Sequence, residues 1–244
     1  VCKPEQWLAI DRISDEHGNS TFKLTTRQTF QFHGVIKKHL KPAMQAINKT
    51  LLDTIAACGD VNRNVQLSVN PSYSKLHEQV YNFSKALSEH LLPSTTAYHE
   101  IWLDKKLVGG EAVKDFEPLY GPYYLPRKFK IAVAVPPDNS VDVFTNDVGF
   151  IAITDSIGEL AGFNVTVGGG MGVTHSNKKT YPRLGDVIGF VTPEEGCLVA
   201  EKIMLAQRDN GNRADRKNAR LKYTVDRMGL ENFKADVEKR MGHK

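Results

Sequence analysis

The sequence predicts an α+β fold, and three features carry that expectation. An alternating stretch rich in Thr and Phe, residues 21–34, runs directly into a stretch with helical spacing. Short apolar runs punctuated by Pro and Gly fill the middle of the chain. The last third reads as helix almost throughout. Strands followed by helices in this order suit a sheet covered by helices.

Residues 21–34 (TFKLTTRQTFQFHG) alternate in polarity and predict one or two strands. Over residues 35–58, Ile36, Leu40, Met44, Ile47, Leu51 and Ile55 recur at helical spacing, with Gly59 as a stop. Pro42 predicts that this helix starts near it, with proline in the first turn. Residues 60–71 are polar and turn-rich, with a short strand at 65–69. Residues 73–92 form a second amphipathic helix, ended by Pro93. A strand at 98–103 and a loop at 109–124 follow. Residues 128–135 (KFKIAVAV) make a strand closed by Pro136 and Pro137. Two more strands are expected at 150–154 and 162–167, the second broken by GGGMG at 168–172. Helices are expected at 193–208, 214–227 and 230–241, with Gly229 separating the last two.

The chain has 244 residues, 41% hydrophobic and 25% charged, enough for one large domain or two modest ones. Its formal charge of +4 is too small to imply nucleic acid by itself. Cys2, Cys58 and Cys197 are scattered and form no CxxC pair. That argues against a disulfide framework or a zinc site and for a reducing compartment. No apolar run approaches the ~18 residues of a membrane span, so no membrane partner is expected. The chain opens on Val1, so a preceding segment is expected.

Cationic residues recur in separate segments. In LPRKFK, residues 125–130, Lys128 and Lys130 would share one strand face about 7 Å apart, with Arg127 on the other face unless the strand bends after Pro126. Like charges side by side are unfavourable unless an anion lies between them. Lysines guarding a strand edge would give the same pattern. Arg63 sits in a turn-rich stretch between Asn62 and Asn64, where a lone arginine is most often surface charge. Arg27, Thr29, Gln31 and His33 would share a strand face, with Phe30 and Phe32 on the core side. Gly168, Gly169 and Gly170 would let backbone approach a ligand and expose N–H groups to an anion, or simply make a long turn. Arg213, Arg216, Lys217 and Arg220 would line one face of the 214–227 helix. A solvated helix face or a nucleic-acid surface would look the same, although no aromatics are interleaved. One cavity for a polyanionic ligand is the economical reading of all five segments.

The strings LTTRQTFQFHG, DVNRNV, YLPRKFK, GFNVTVGGGMG and QRDNGNRADRKNARLKYT, in this order from residue 24 to residue 224, resemble the sulfite/nitrite reductase haemoprotein family. The resemblance implies half of a ferredoxin-like domain over residues 1–55, followed by a sirohaem-binding α+β domain over 56–244. The first region would be poorly stable alone, with its sheet edge open. It implies sirohaem, a macrocycle with eight carboxylates, coupled to a 4Fe–4S cluster. The cluster's cysteines are not matched by Cys2, Cys58 or Cys197. They are expected in a further C-terminal domain, so these residues alone are not expected to turn over. No metal ligand is assigned within them.

By the same resemblance, Arg63, Lys128 and Lys130 hold the substrate oxyanion. Arg27, Gln31, His33, Arg127, Gly168, Gly169, Gly170 and Arg220 serve the cofactor. The implied activity is six-electron reduction of sulfite to sulfide in sulfur assimilation and cysteine biosynthesis, in the cytoplasm. Electrons would come from an NADPH-flavoprotein subunit or a ferredoxin. The Lys128-x-Lys130 pair favours sulfite over nitrite. The alternatives are a sirohaem nitrite reductase and a non-catalytic polyanion- or RNA-binding module, although nucleic acid is not the expected ligand.

Overall fold

The computed structural model describes residues 2–57, 59–68, 70–94 and 117–243, with the backbone of two short strands between 101 and 109. The chain divides into two compact units, Val1–Ala57 and Cys58–Lys244.

The first unit contains helix α1 (Pro4–His17), strands β1 (Phe22–Leu24) and β2 (Phe30–Phe32), and helix α2 (Lys37–Lys49). Helix α1 is absent from the sequence reading, yet its signals exist. Pro4 opens it, the Gln6 side chain accepts from Lys3 N at 2.9 Å, and Ile10 and Ile13 are buried three residues apart. Residues 21–34 form two strands, paired antiparallel with Phe22 opposite Phe32 and Leu24 opposite Phe30. The turn between them overturns the single polar face expected there. Thr25 Oγ1 accepts from Arg27 N at 3.3 Å and from Thr29 N at 3.2 Å, and Gln28 adopts φ +59°. Gln31 therefore lies in a strand, whereas Arg27 lies in the turn.

Trp7 meets Phe22 and Phe30 edge-on, at centroid distances of 5.8 and 5.5 Å. Phe30 is only half-buried. Phe30→Ala should cost about 2 kcal/mol, below the ~3–5 kcal/mol of a fully buried aromatic. Chemical denaturation of the whole protein, followed by Trp7 fluorescence, checks this; an unchanged midpoint removes the cluster as a stabilising element.

Helix α2 begins at Lys37, ahead of Pro42, not at it. Proline has no N–H, so the Lys38 carbonyl lacks its bond from the residue four on. The helix also stops well before Gly59. Thr50 Oγ1 donates to the Ile47 carbonyl at 2.6 Å, and Leu51 adopts φ +62°. Leu51 and Ile55, expected on its apolar face, are exposed.

The second unit is built on a five-stranded mixed sheet, β3 (Gln66–Leu67), β6 (Ile131–Ala134), β7 (Val148–Thr154), β8 (Leu160–Val167) and β9 (Asp186–Val191). β3, β6 and β7 run parallel; β7, β8 and β9 run antiparallel. All four residues of β6 are buried, as a parallel strand covered on both faces requires. Helix α3 (Lys75–His90) starts at the Ser74 cap and brings Phe83 against Phe163, with ring centroids 4.2 Å apart. Helices α4 (Pro193–Asn210), α5 (Leu221–Met228) and α6 (Leu230–Met241) complete it. A separate hairpin, β4 (Ile101–Leu103) and β5 (Lys106–Gly109), lies between α3 and β6 in sequence. Residues 98–100 of the expected strand and 110–116 of the expected loop lie outside the described residues.

Two expectations fail in this unit. Strand β9 was not foreseen, because Val187 and Phe190 are exposed on an edge strand and give no clean alternation. The single helix over 214–227 does not form. A 3-10 turn at Arg216–Asn218 precedes α5, which starts only at Leu221. Asn212 Oδ1 accepts from Ala214 N, and Asp215 Oδ1 from Lys217 N, both at 2.9 Å. These side-chain bonds compete with helical backbone bonds. Arg213, Arg216, Lys217 and Arg220 therefore do not line one helix face. Arg213 is instead spent on the carbonyls of Tyr123, Tyr124 and Arg208.

Candidate functional site

The start of each parallel strand and the end of β8 meet at one end of the sheet. Ile131 pairs with Val148, and Val148 with Val167. The residues just outside those strand ends, 127–130, 145–147 and 168–174, are therefore neighbours. From these segments Arg127, Lys128, Lys130, Thr145 and residues 171–174 line a cavity of about 480 Å³, together with Thr180 and side chains from 216–223. Six cationic side chains line it: Arg127, Lys128, Lys130, Arg216, Lys217 and Arg220. Among the described residues, none of the lining is acidic.

The 127–130 segment is not yet strand, which corrects its expected geometry. Strand β6 starts at Ile131, so Arg127 is not turned away but lines the same cavity as Lys128 and Lys130. The loop carrying Arg63 is laced to this segment. Arg63 N donates to the Phe129 carbonyl at 2.9 Å, and Phe129 N to the Val61 carbonyl at 3.0 Å. Buried Tyr120 anchors that loop, accepting from Asn62 N at 3.0 Å and donating to the Leu91 carbonyl at 2.6 Å. Arg63 is thereby held beside Lys128, and its guanidinium donates to the Gly59 carbonyl at 2.9 Å.

Among the described residues, Lys128 Nζ has no hydrogen-bond or ion-pair partner. Burial pushes its pKa below the ordinary lysine value of 10.5, and the charges of Arg127, Arg63 and Arg220 push it further. Asp147 acts in the opposite sense. Asp147 is fully buried and pairs with Arg220, at 2.9 Å to Nη2 and 3.3 Å to Nε.

The glycines work differently from the expectation. Gly168 N donates to the Asp147 carbonyl, Gly169 N to the Asn146 carbonyl and Gly170 N to the Arg183 carbonyl, at 2.9, 3.0 and 2.7 Å. Their N–H groups are thus satisfied by backbone and do not face a ligand. What the sequence needs there is closeness. A Cβ on Gly169 would stand 2.2 Å from the Phe144 carbonyl oxygen, and one on Gly170 would stand 3.0 Å from Arg220 Nη1.

Two cations clamp this turn from outside the cavity. Arg183 binds Asp226 and Asp186 at 2.7 and 2.6 Å and donates to the Gly168 carbonyl at 3.0 Å. Fully buried Lys222 donates to the carbonyls of Gly170 and Gly172, at 3.0 and 2.9 Å, and to that of Tyr181. Burial, then Arg220, pushes its pKa down.

Of the residues expected at the site, Arg127, Lys128, Lys130 and Arg220 share the cavity, with Arg63 beside Lys128 and Gly170 beside Arg220. Arg27, Gln31 and His33 belong to the first unit. There Gln31 is exposed, Arg27 is half-buried, and the buried His33 Nε2 has no hydrogen-bond partner among the described residues. Sequence reasoning missed Asp147, Arg183 and Thr145. An Asp just before an apolar run reads as an ordinary turn residue, so nothing local marked Asp147. Among the described residues no cluster of His, Cys, Asp and Glu could hold a metal ion, and no helix is long and apolar enough to cross a membrane.

Comparison with known proteins agrees with this architecture. Residues 1–50 match the family described as the nitrite/sulfite reductase ferredoxin-like half domain. The chain is 59% identical over 242 residues to the sulfite reductase NADPH hemoprotein beta-component of Bacillus subtilis (strain 168), covering 99% of this chain and 42% of that protein. The protein of the same name from Methylobacterium nodulans is 58% identical over 245 residues, covering 100% of this chain and 40% of that protein. The chain thus spans less than half the length of these relatives. Among solved structures, Mycobacterium tuberculosis NirA superposes with a TM-score of 0.72 at 23% identity, covering 98% of this chain and 38% of that one. Dissimilatory sulfite reductase I superposes at 0.66 and 13% identity, covering 100% and 67%. Both support the fold alone. Residues 83–244 match the nitrite and sulphite reductase 4Fe-4S domain, and the chain belongs to that family.

Proposed function

We propose that this chain is the substrate-facing part of a sulfite reductase haemoprotein, which reduces sulfite to sulfide at a sirohaem coupled to a 4Fe–4S cluster. The observation that carries the reading is the cavity whose described lining holds six cations and no acid, with Arg216 and Arg220 ion-paired from behind it, to Asp60 and Asp147. Such a lining suits a polycarboxylate macrocycle and a small oxyanion together, since each cation left without an anion would repel its neighbours. When bound, the sirohaem and cluster supply the electrons.

The protein's own part is electrostatic and protic. Lys128, Lys130 and Arg63 neutralise the oxyanion's oxygens as the S–O bonds weaken. Lys128, with its lowered pKa, is the best placed to give up a proton. Arg127 and Arg220 serve the macrocycle's carboxylates, and the family resemblance assigns Arg27, Gln31 and His33 to the cofactor as well. Gly168, Gly169 and Gly170 contribute close backbone packing and not N–H donors. The relatives' NADPH designation favours an NADPH-fed flavoprotein as electron donor over ferredoxin. The free thiols of Cys2 and Cys197 suit the cytoplasm.

Lys130→Asn in the whole protein tests the choice of substrate. The kcat/KM ratio for sulfite over nitrite should fall by at least about tenfold, one charged hydrogen bond being worth about 1.5–3 kcal/mol. An unchanged ratio removes Lys130 as a determinant of sulfite preference. A whole protein without a haem absorption band, or one whose band ignores sulfite, overturns the functional reading itself.

A further inference from the structure

Cations crowded on one cavity repel each other unless something holds them in place before a ligand arrives; Asp60 does this for Arg216, at 2.6 and 3.1 Å. We propose that Asp147 is the positioning residue of this site, its single buried carboxylate fixing both the Arg220 guanidinium and the Lys130 backbone. The proposal rests on the functional reading above but names a residue that reading does not use.

Asp147 shows no exposed surface. Its Oδ2 accepts from Arg220 Nη2 at 2.9 Å and from Lys130 N at 3.0 Å, and its Oδ1 accepts from Arg220 Nε at 3.3 Å. The peptide bonds tighten the same junction. Val148 N donates to the Lys130 carbonyl at 3.1 Å, and Gly168 N donates to the Asp147 carbonyl at 2.9 Å. Asp147 thus joins the start of β6, the end of β8 and the residue just ahead of α5. Arg220 is held from two sides, by this fork and by Gly170, whose missing side chain leaves room for Nη1.

The carboxylate uses its two oxygens on Arg220 in a bidentate grip, which fixes direction as well as distance. A buried acid here also carries electrostatic weight. The charged groups acting on Lys128 are Arg127, Arg63 and Arg220, which disfavour its proton, and Asp147, which favours it. Removing the negative charge should therefore make Lys128 release its proton at lower pH. Asp147 does not line the cavity, so it acts through its neighbours.

The test uses Asp147→Asn in the whole cofactor-loaded protein, with sulfite as the probe. Asparagine keeps an acceptor for Lys130 N but loses the charge and one side of the fork. Sulfite binding is followed by the visible-band shift across a pH series, with cofactor content measured by absorbance. The expected result is near-parental cofactor content, a dissociation constant raised about tenfold at neutral pH, and an alkaline limb moved to lower pH. Parental binding and an unmoved limb would overturn the proposal while leaving the functional reading intact. A parent that shows no sulfite response sinks both. Should Asp147→Asn fail to accumulate, Asp147→Glu decides: it keeps the charge but, one methylene longer, cannot seat both oxygens against Arg220 and Lys130 N as Asp147 does. Weakened sulfite binding with an unmoved limb then supports the proposal, and parental behaviour overturns it.

Discussion

Replacing Lys128 by methionine in the whole protein is expected to lower turnover by about 10²–10⁴-fold, the range for losing a positioned proton donor. Methionine preserves most of the length and apolar stem, so the change isolates the ammonium. Lys128 faces three like charges, Arg127, Arg63 and Arg220, against the single acid Asp147. With burial added, its proton is held less tightly than that of a solvated lysine. The direction of the pH dependence follows. The protonated form neutralises the oxyanion and gives the proton, so activity is present below the Lys128 pKa and is lost as pH rises through it. That alkaline limb should lie below the ordinary lysine value of 10.5 and vanish in Lys128→Met.

Lys128→Arg separates charge from proton. It should recover part of sulfite binding but little of kcat, because arginine stays protonated throughout. Turnover within threefold of the parent in Lys128→Met, measured with a chemical reductant so that no partner subunit limits the rate, would exclude Lys128 as the proton donor.

The site could be read from sequence where composition and spacing are themselves the physics. KFKIAVAV predicts a strand over 128–135; its apolar half forms β6 from Ile131, four consecutive buried residues, while the cationic half stays outside the strand. GFNVTVGGGMG announced a strand that must stop, and β8 ends at Val167. What could not be read were the features that depend on side chains bonding to distant backbone. Asn212 and Asp215 look harmless inside a helical pattern, yet their bonds to Ala214 and Lys217 N break it. Thr25 looks like a strand residue, yet its hydroxyl builds the turn that takes Arg27 out of the strand. The same holds for the glycines, whose close contacts with Phe144 and Arg220 bring together residues far apart in sequence. Asp147 and Arg183 were invisible for that reason as well: their meaning lies in the strand ends they tie together.

Lys222→Met should destabilise the protein by about 3–5 kcal/mol, the usual cost of breaking a buried charged network from one side. Lys222 is fully buried, and its three N–H bonds go to the carbonyls of Gly170, Gly172 and Tyr181. Its Nζ also stands 4.9 Å from the Tyr223 ring centroid, over a face that favours a cation. Methionine would fill the space but remove a donor from all three carbonyls; that of Gly170 keeps its bond from Arg183 N at 3.0 Å, while those of Gly172 and Tyr181 lose the Lys222 bond, at about 1–3 kcal/mol each when they cannot reach water. Those carbonyls belong to the turn that frames the cavity, so the damage should be local before it is global. Loss of order should open the Gly170–Gly172 segment first, and Met171 and Val173, already exposed, would become sites of proteolytic cleavage. Urea unfolding with limited proteolysis of the whole protein checks both parts. A lowered midpoint with early cleavage near Met171 is expected; an unchanged midpoint would mean that water or a neighbouring group replaces the ammonium, and that the turn is held by Arg183 alone.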